Sequence, residues 1–327
     1  MSRARTIILG ASHWHVPLCT RAIGEEHEVV GISDEDVSLV RGLAEAWSAP
    51  VEADWRSLVD LPDLGLAYVF GPHNGMAEKC LALIERGIPL VVEKPLGTSL
   101  AELTKVRKAA EAAGVPVTVP LVQRGGPTDR WLAKAGRPTY QRTSFIAGPP
   151  SRYLHNGNPW MLDPAAAGGG CLANLAPHFV DLFLHGSNES ADKVDTRLSS
   201  VLHGADVEDH ASLIVTTPGG REAIIEVGYA FPDSPLKRYC SFTSAGEAGF
   251  ASVNSDGSAT FTSVDGATES TTINVDSDPL YDAFVRRVAE TLEDGFRGLP
   301  TLAQLEDAMR PIWQAYDDHG GRENGRP

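Results

Sequence analysis

Ile88-Pro89-Leu90-Val91-Val92-Glu93-Lys94-Pro95 is a short apolar run that ends on an acid, a lysine and a proline. A helical pattern opens soon after it, with Thr98-Ser99-Leu100-Ala101-Glu102 as its capping signal. Together these residues predict a buried strand followed by a helix. Open α/β sheets place their chemistry at the carboxyl ends of such strands. The proline restricts Lys94 to extended geometry and so fixes where its side chain emerges. A solvated lysine in a strand-to-helix loop is the simpler reading of the octapeptide alone, and the rest of the chain decides between the two.

The same alternation continues on both sides of that stretch. Ile7-Ile8-Leu9, Val29-Val30-Gly31-Ile32, Leu66-Ala67-Tyr68-Val69-Phe70 and Val115-Pro116-Val117-Thr118-Val119 read as strands. Helical spacing separates them over 16–23, 37–47, 77–84 and 103–113. Strands alternating with helices imply parallel βαβ units and a sheet covered on both faces. Residues 1–120 are therefore expected to form an α/β domain with a parallel sheet. From Thr139 onward longer strand-like segments dominate: 140–146, 195–203, 211–217, 222–229, 238–244, 250–254 and 259–263. Thr217-Pro218-Gly219-Gly220 is a hairpin-type turn between two of them. Helices are expected at 175–184, 281–292 and 302–316. Residues 121–327 thus read as an α+β domain with a large, mostly antiparallel open sheet. The polar tail from Gly320 to Pro327 is expected to fray.

Composition bounds the function. The 327 residues leave room for two domains with substantial cores. A net charge of −15 disfavours nucleic acid or an anionic membrane surface as partner. An anionic cofactor remains compatible, because backbone N–H groups can hold phosphates inside an acidic protein. Cys19, Cys80, Cys171 and Cys240 are widely spaced with no CxxC pair, which argues against a zinc ribbon or a disulfide framework. The first apolar run is too short for a secretory segment, and no stretch approaches the roughly 18–20 apolar residues of a membrane span. A cytoplasmic protein is expected.

Gly10 ends the first strand where a dinucleotide-binding fold wants G-x-G-x-x-G. The chain offers Gly10-Ala11-Ser12-His13-Trp14-His15, which keeps only the first glycine. Ser12 is small enough for backbone approach to a pyrophosphate and could donate its hydroxyl. Asp34 lies at the end of the second strand, 24 residues after Gly10. An acid there would accept from a ribose 2′-hydroxyl and repel a 2′-phosphate, favouring NAD over NADP without excluding NADP. Its competing role is to cap the helix that starts near Asp36. His13 and His15 lack the further convergent ligands that a metal site needs, so no metal is expected. Gly71-Pro72-His73-Asn74 follows a strand at the place where a second loop would meet the dinucleotide; the competing reading is a plain turn.

In the second half, Gly168-Gly169-Gly170-Cys171-Leu172-Ala173-Asn174-Leu175-Ala176-Pro177-His178-Phe179-Val180-Asp181 stands out. Three glycines let the backbone turn or pass close to a ligand. If the stretch is helical, Asn174 and His178 share a face. Asp181 could orient His178 or pair elsewhere.

In order and spacing, Glu93-Lys94-Pro95, the Gly168–Asp181 stretch and the final helices resemble the glucose–fructose oxidoreductase / inositol dehydrogenase / rhizopine catabolism family (Gfo/Idh/MocA). The resemblance covers nearly the whole chain. It implies an N-terminal Rossmann-type domain, a C-terminal domain that forms homodimers or homotetramers through its open sheet, and NAD(P)-dependent oxidation or reduction of a sugar, cyclitol or related polyol. It assigns Lys94 as general acid/base, with Glu93 beside it, and His178 as its partner. Asn174 stands where the family often has an Asp, and an amide cannot take a proton. The resemblance departs at the glycine loop and at Met76, where the family usually carries a histidine. Gly10, Ser12, His13, Trp14, Asp34, Pro72, His73, Asn74, Glu93 and Lys94 are the candidate cofactor contacts. Tyr153, His155, Asn156 and Trp160, before the glycines, are candidate substrate contacts, against the alternative of an ordinary loop. The worn glycine loop also leaves open a non-catalytic dinucleotide or sugar sensor; a third alternative is an NAD-dependent glycosidase or epimerase that oxidises transiently and would need a further acid or base.

Overall fold

Ile7, Ile8, Leu9, Leu66, Val69, Leu90 and Val92 have essentially no exposed surface. Their strands have no polar face to offer water, so each sits inside a sheet covered on both sides. The computed structural model, which describes residues 3–323, shows that sheet. Strands β1 (Ala4–Leu9), β2 (His27–Ser33), β3 (Val51–Glu52), β4 (Leu66–Val69), β5 (Leu90–Val92) and β6 (Val117–Thr118) pair in the order β3-β2-β1-β4-β5-β6. Every pairing is parallel. Helices α1 (Val16–Glu26), α2 (Arg41–Trp47), α3 (Arg56–Val59), α4 (Met76–Glu85) and α5 (Leu100–Ala113) connect the strands. The capping signal before α5 is used: Ser99 Oγ accepts from Glu102 N at 3.3 Å, and the Glu102 carboxylate returns to accept from Thr98 N at 2.7 Å.

The order reverses about β1, so the carboxyl ends of β1, β4 and β5 carry the loops where such sheets bind ligands. The chain forms two compact units. The first holds residues up to Pro120 together with Tyr153–Gly168 and Asp278–Leu305. The second holds Leu121–Arg152, Gly169–Ser277 and the residues from Glu306 on.

In chain order the later helices are α6 (Pro127–Leu132), α7 (Ser151–His155), α8 (Pro164–Ala167), α9 (Cys171–Leu175), α10 (Pro177–Ser187), α11 (Asp278–Thr291) and α12 (Leu302–Glu323). The second unit is built on β7 (Pro138–Ala147), β8 (Lys193–Ser199), β9 (His210–Thr216), β10 (Glu222–Gly228), β11 (Arg238–Gly246), β12 (Gly249–Asn254), β13 (Ser258–Ser263) and β14 (Thr268–Thr272). They pair as β14-β13-β12-β11-β7-β10-β9-β8, antiparallel throughout except for β7 with β10. Ala211, Leu213 and Val215 are buried while Ile214 is exposed, the alternation of a sheet with one covered face. The expected turn closes β9 onto β10, with Gly220 N donating to Thr217 O at 2.9 Å.

Two expectations change. The helix expected at 175–184 is two helices, because Pro177 starts α10 afresh at its first turn. Asn174 and His178 therefore belong to different helices. The last helix also runs past the expected 302–316: α12 continues to Glu323, through Gly320 and Gly321. Asn324 to Pro327 lie outside the described residues.

A buried histidine at the start of β2 makes the first unit acid-sensitive. His27 is buried, with Nε2 3.0 Å from the Tyr68 hydroxyl. Burial, helped by the Arg3 charge, lowers its pKa to about 4. A lowered histidine pKa means that the neutral form is the stable one in the fold. Its contribution is full above pH ~6.5 and is lost as pH falls towards 4, at most about 3 kcal/mol. The thermal midpoint should therefore drop as pH falls from 6.5 to 4, and less steeply in His27→Gln. Parallel pH curves for the two proteins would refute this.

Candidate active site

The turn after β1 is built around Gly10. Its φ of +74° is left-handed, and its N–H and that of Ala11 both donate to Ser33 O. A Cβ at Gly10 would lie 2.3 Å from Gly71 O, so the glycine lets this turn pass against the end of β4. Ser12 N donates to Asp34 Oδ2 at 2.8 Å, and Asp36 N donates to Asp34 Oδ1 at 3.2 Å. The cap of the following helical turn is Asp36 itself, which accepts from Ser38 N. Asp34 is thus not the helix cap. It is a half-buried carboxylate at the end of β2 that ties down the turn after β1.

The side chains of that turn point inward. His13 and His15 are each 2% exposed. His13 stacks on Phe70 with ring centres 5.5 Å apart and lies 5.7 Å from the Trp160 ring. His15 N donates to His13 Nδ1, so a neutral His13 carries its proton on Nε2. His15 Nδ1 lies 3.1 Å from Glu93 Oε2, and the Tyr281 hydroxyl of α11 lies 3.0 Å from His15 Nε2. His73 donates from Nδ1 to Ala167 O at 2.8 Å, which places its proton there when neutral. Burial holds His73 down to about 4, and burial with the neighbouring His15 holds His13 well below the usual histidine range.

Glu93 and Lys94 follow β5 and are 1% and 2% exposed. Burial raises the Glu93 carboxyl, and the nearby Lys94 and His13 oppose that rise. Lys94 N donates to Glu93 Oε1 at 3.1 Å. The solvated-lysine reading therefore fails: the strand end is enclosed. A small, mainly apolar cavity lies beside Glu93, lined also by Cys19, Tyr68, Phe70, Val91, Tyr281 and Phe284.

Pro72 is half-buried and Asn74 is exposed, so of the four loop residues Gly71 and His73 are the ones enclosed in the cluster. Met76 is fully buried at the start of α4. Tyr153 is buried, its ring edge-on to Trp14 at 5.9 Å. Trp160 lies against Gly71, where an added Cβ would meet its ring at 2.7 Å, and meets His73 edge-on at 4.8 Å. His155 and Asn156 are exposed. Sequence reasoning missed Asn158, which is fully buried, donates to Ser12 O at 3.0 Å and accepts from Trp160 Nε1 at 3.1 Å. It also missed Tyr281, which no local pattern links to a turn 266 residues away. Among the described residues no three His, Cys, Asp or Glu side chains are placed to hold a metal ion.

The glycine stretch of the second unit serves the protein's own packing. A Cβ at Gly169 would lie 2.2 Å from the Tyr316 hydroxyl, and one at Gly170 2.2 Å from Glu208 O. Asn174 and His178 follow, 1% and 8% exposed. Asn174 Nδ2 donates to the Tyr229 hydroxyl at 3.0 Å. Asp181 pairs with Arg124, whose Nε lies 2.6 Å from Oδ2. Burial still pushes the Asp181 carboxyl up to about 6.

A dinucleotide needs a tight turn after β1, an acid at the end of β2 and unobstructed space over the turn. Gly10 and Asp34 meet the first two needs. His15 fills the third glycine position, yet its ring and that of His13 turn into the unit and leave half-buried Ser12 on the outer side. The residues fit the group.

Two family models match the chain. One, described as an oxidoreductase family with an NAD-binding Rossmann fold, matches residues 7–121. The other, the GFO/IDH/MocA C-terminal domain, matches residues 133–252. D-apiose dehydrogenase of Paraburkholderia graminis is 24% identical over 217 residues, which is 62% of this chain and 54% of that protein. The chain spans about half the length of that relative. An oxidoreductase domain protein from Kribbella flavida superposes with a TM-score of 0.83 at 19% identity, over 99% of this chain and 98% of the other. Levoglucosan dehydrogenase in complex with NADH and levoglucosan superposes with a TM-score of 0.79 at 17% identity, over 96% and 98%.

Proposed function

Because the chain belongs to the Gfo/Idh/MocA oxidoreductase family, we propose that it is an NAD-dependent dehydrogenase acting on a hydroxyl-bearing carbon of a sugar, cyclitol or related polyol. The observation that carries this reading is the enclosed Glu93–Lys94 pair at the end of β5, on the same sheet edge as the Gly10 turn. Bound NAD would supply the nicotinamide carbon that exchanges hydride with the substrate.

The chain's own residues handle the proton and the orientation. Lys94 takes the hydroxyl proton when the carbinol is oxidised and returns it in the reverse direction. His13 and His73, held neutral by burial, add no positive charge to the cluster around Glu93. Trp160 and the buried rings around His13 exclude water from this end of the unit. In the second unit, His178 and Asn174 are the groups for hydrogen-bonding substrate hydroxyls. The substrate class follows relatives named for D-apiose and levoglucosan.

Fluorescence titration with NADH and NADPH, followed by a sugar and cyclitol panel read at the nicotinamide absorbance, tests the reading. Failure to bind either nucleotide would sink it. Asp34 is assigned to the ribose hydroxyls. In Asp34→Asn the carboxamide oxygen can still accept from Ser12 N while the charge is gone. The ratio of NADPH to NADH dissociation constants should fall about tenfold, or about 1.4 kcal/mol. An unchanged ratio would leave Asp34 with only its role in tying down the turn.

A further inference from the structure

Four consecutive amides open helix α9, and two distant residues satisfy all of them. Gly170 N donates to both Glu208 carboxylate oxygens at 2.9 and 3.0 Å, and Leu172 N donates to Glu208 Oε1 at 2.8 Å. Cys171 N donates to the Glu208 carbonyl at 3.1 Å. Ala173 N donates to the Tyr316 hydroxyl at 3.0 Å, and that hydroxyl donates to Glu208 Oε1 at 2.7 Å. The first amides of a helix have no partner within it, and an anion is the strongest acceptor that can face them. Glu208 is only 9% exposed, so its carboxylate answers to these donors more than to water. Gly169 and Gly170 are the residues that allow Tyr316 and Glu208 to come so close.

We propose that Glu208 is a positioning residue for Asn174 and His178, acting through the first turn of α9 with Tyr316 as its partner. The proposal rests on the reading of those two residues as substrate-side groups. Asn174 N donates to Gly170 O at 3.1 Å, so the turn that Glu208 clamps carries Asn174 directly. The Tyr229 hydroxyl holds the far end of the Asn174 side chain. His178 follows one turn later, where Pro177 restarts the helix. A shift of the clamped turn is thus passed to both side chains, and misplacement of about 1 Å is costly in catalysis.

Glu208→Gln keeps an oxygen for Leu172 N and Tyr316 but turns an N–H₂ toward Gly170 N, setting donor against donor. It should lower kcat about tenfold or more. NADH affinity, which depends on the first unit, should stay within about twofold. Tyr316→Phe should act in the same direction, and the double variant should lose less than the product of the two because they share a bond. A readout free of turnover is the ¹H–¹³C signal of the His178 ring, assigned with His178→Gln. It should move in both single variants. If it stays in place in both, or if kcat stays within about twofold of the parent, Glu208 does not position the site. Loss of NADH binding and turnover in the parent itself would overturn the dehydrogenase reading instead, and the ring signal would still decide the role of Glu208.

Discussion

Lys94→Ala should lose about 10³-fold in kcat, within the 10²–10⁴ range for a positioned acid or base, while still binding NADH. The expectation follows from enclosure. Lys94 is 2% exposed at the end of β5, so bulk water cannot readily replace its amine as proton carrier. Its backbone N–H is tied to the Glu93 carboxylate, which fixes the base of the side chain. Truncation also leaves Glu93 buried beside one fewer cation, and an uncompensated buried charge is destabilising. Lys94→Met, which keeps most of the stem, separates the two effects. It should fold like the parent and remain as slow as the alanine variant. Partial recovery by added methylamine would mark the missing amine as the proton carrier. A rate equal to the parent in both variants would remove Lys94 from the chemistry.

Gly10→Ala should be the most damaging small substitution in the first unit. A left-handed φ of +74° costs a residue with Cβ about 1–2 kcal/mol. The Cβ would also lie 2.3 Å from Gly71 O and 2.9 Å from Phe70 O, both backbone atoms that cannot swing aside. Overpacking of this kind costs about 1–3 kcal/mol more. The total, about 3 kcal/mol, should lower the thermal midpoint by more than about 5 °C. Because Ser12 and its bond to Asp34 sit on the same turn, NADH affinity should fall with stability. A midpoint within about 1 °C of the parent together with unchanged NADH affinity would show that the turn relaxes freely.

Much of this architecture could be read from the chain, for reasons visible in particular strands. β4, β5 and the Ile7-Ile8-Leu9 end of β1 are apolar because they are covered on both faces. β9 and β10 alternate because one face of their sheet is covered. β3 escaped notice because it is two residues long. β14, Thr268-Glu269-Ser270-Thr271-Thr272, escaped because it is a fully exposed edge strand with no apolar side chain to reveal it. The site divides in the same way. Asp34, Glu93 and Lys94 were legible because each ends a recognisable strand. Glu208 and Tyr316 were not, since they reach the glycine turn across 38 and more than 100 residues. The three glycines marked a close approach, but a sequence cannot say whether a ligand or the protein itself comes near.

His15 occupies the place of a fingerprint glycine, and its ring reaches both Glu93 and Tyr281. Loop grafting must reckon with this. A standard phosphate loop, transplanted here with its third glycine, would leave a void the size of an imidazole between α1 and α11. The Tyr281 hydroxyl and the Glu93 carboxylate would both face that void. Turn, strand end and helix therefore form one exchangeable part, and a donor loop would have to arrive together with its own matching residues at positions 93 and 281.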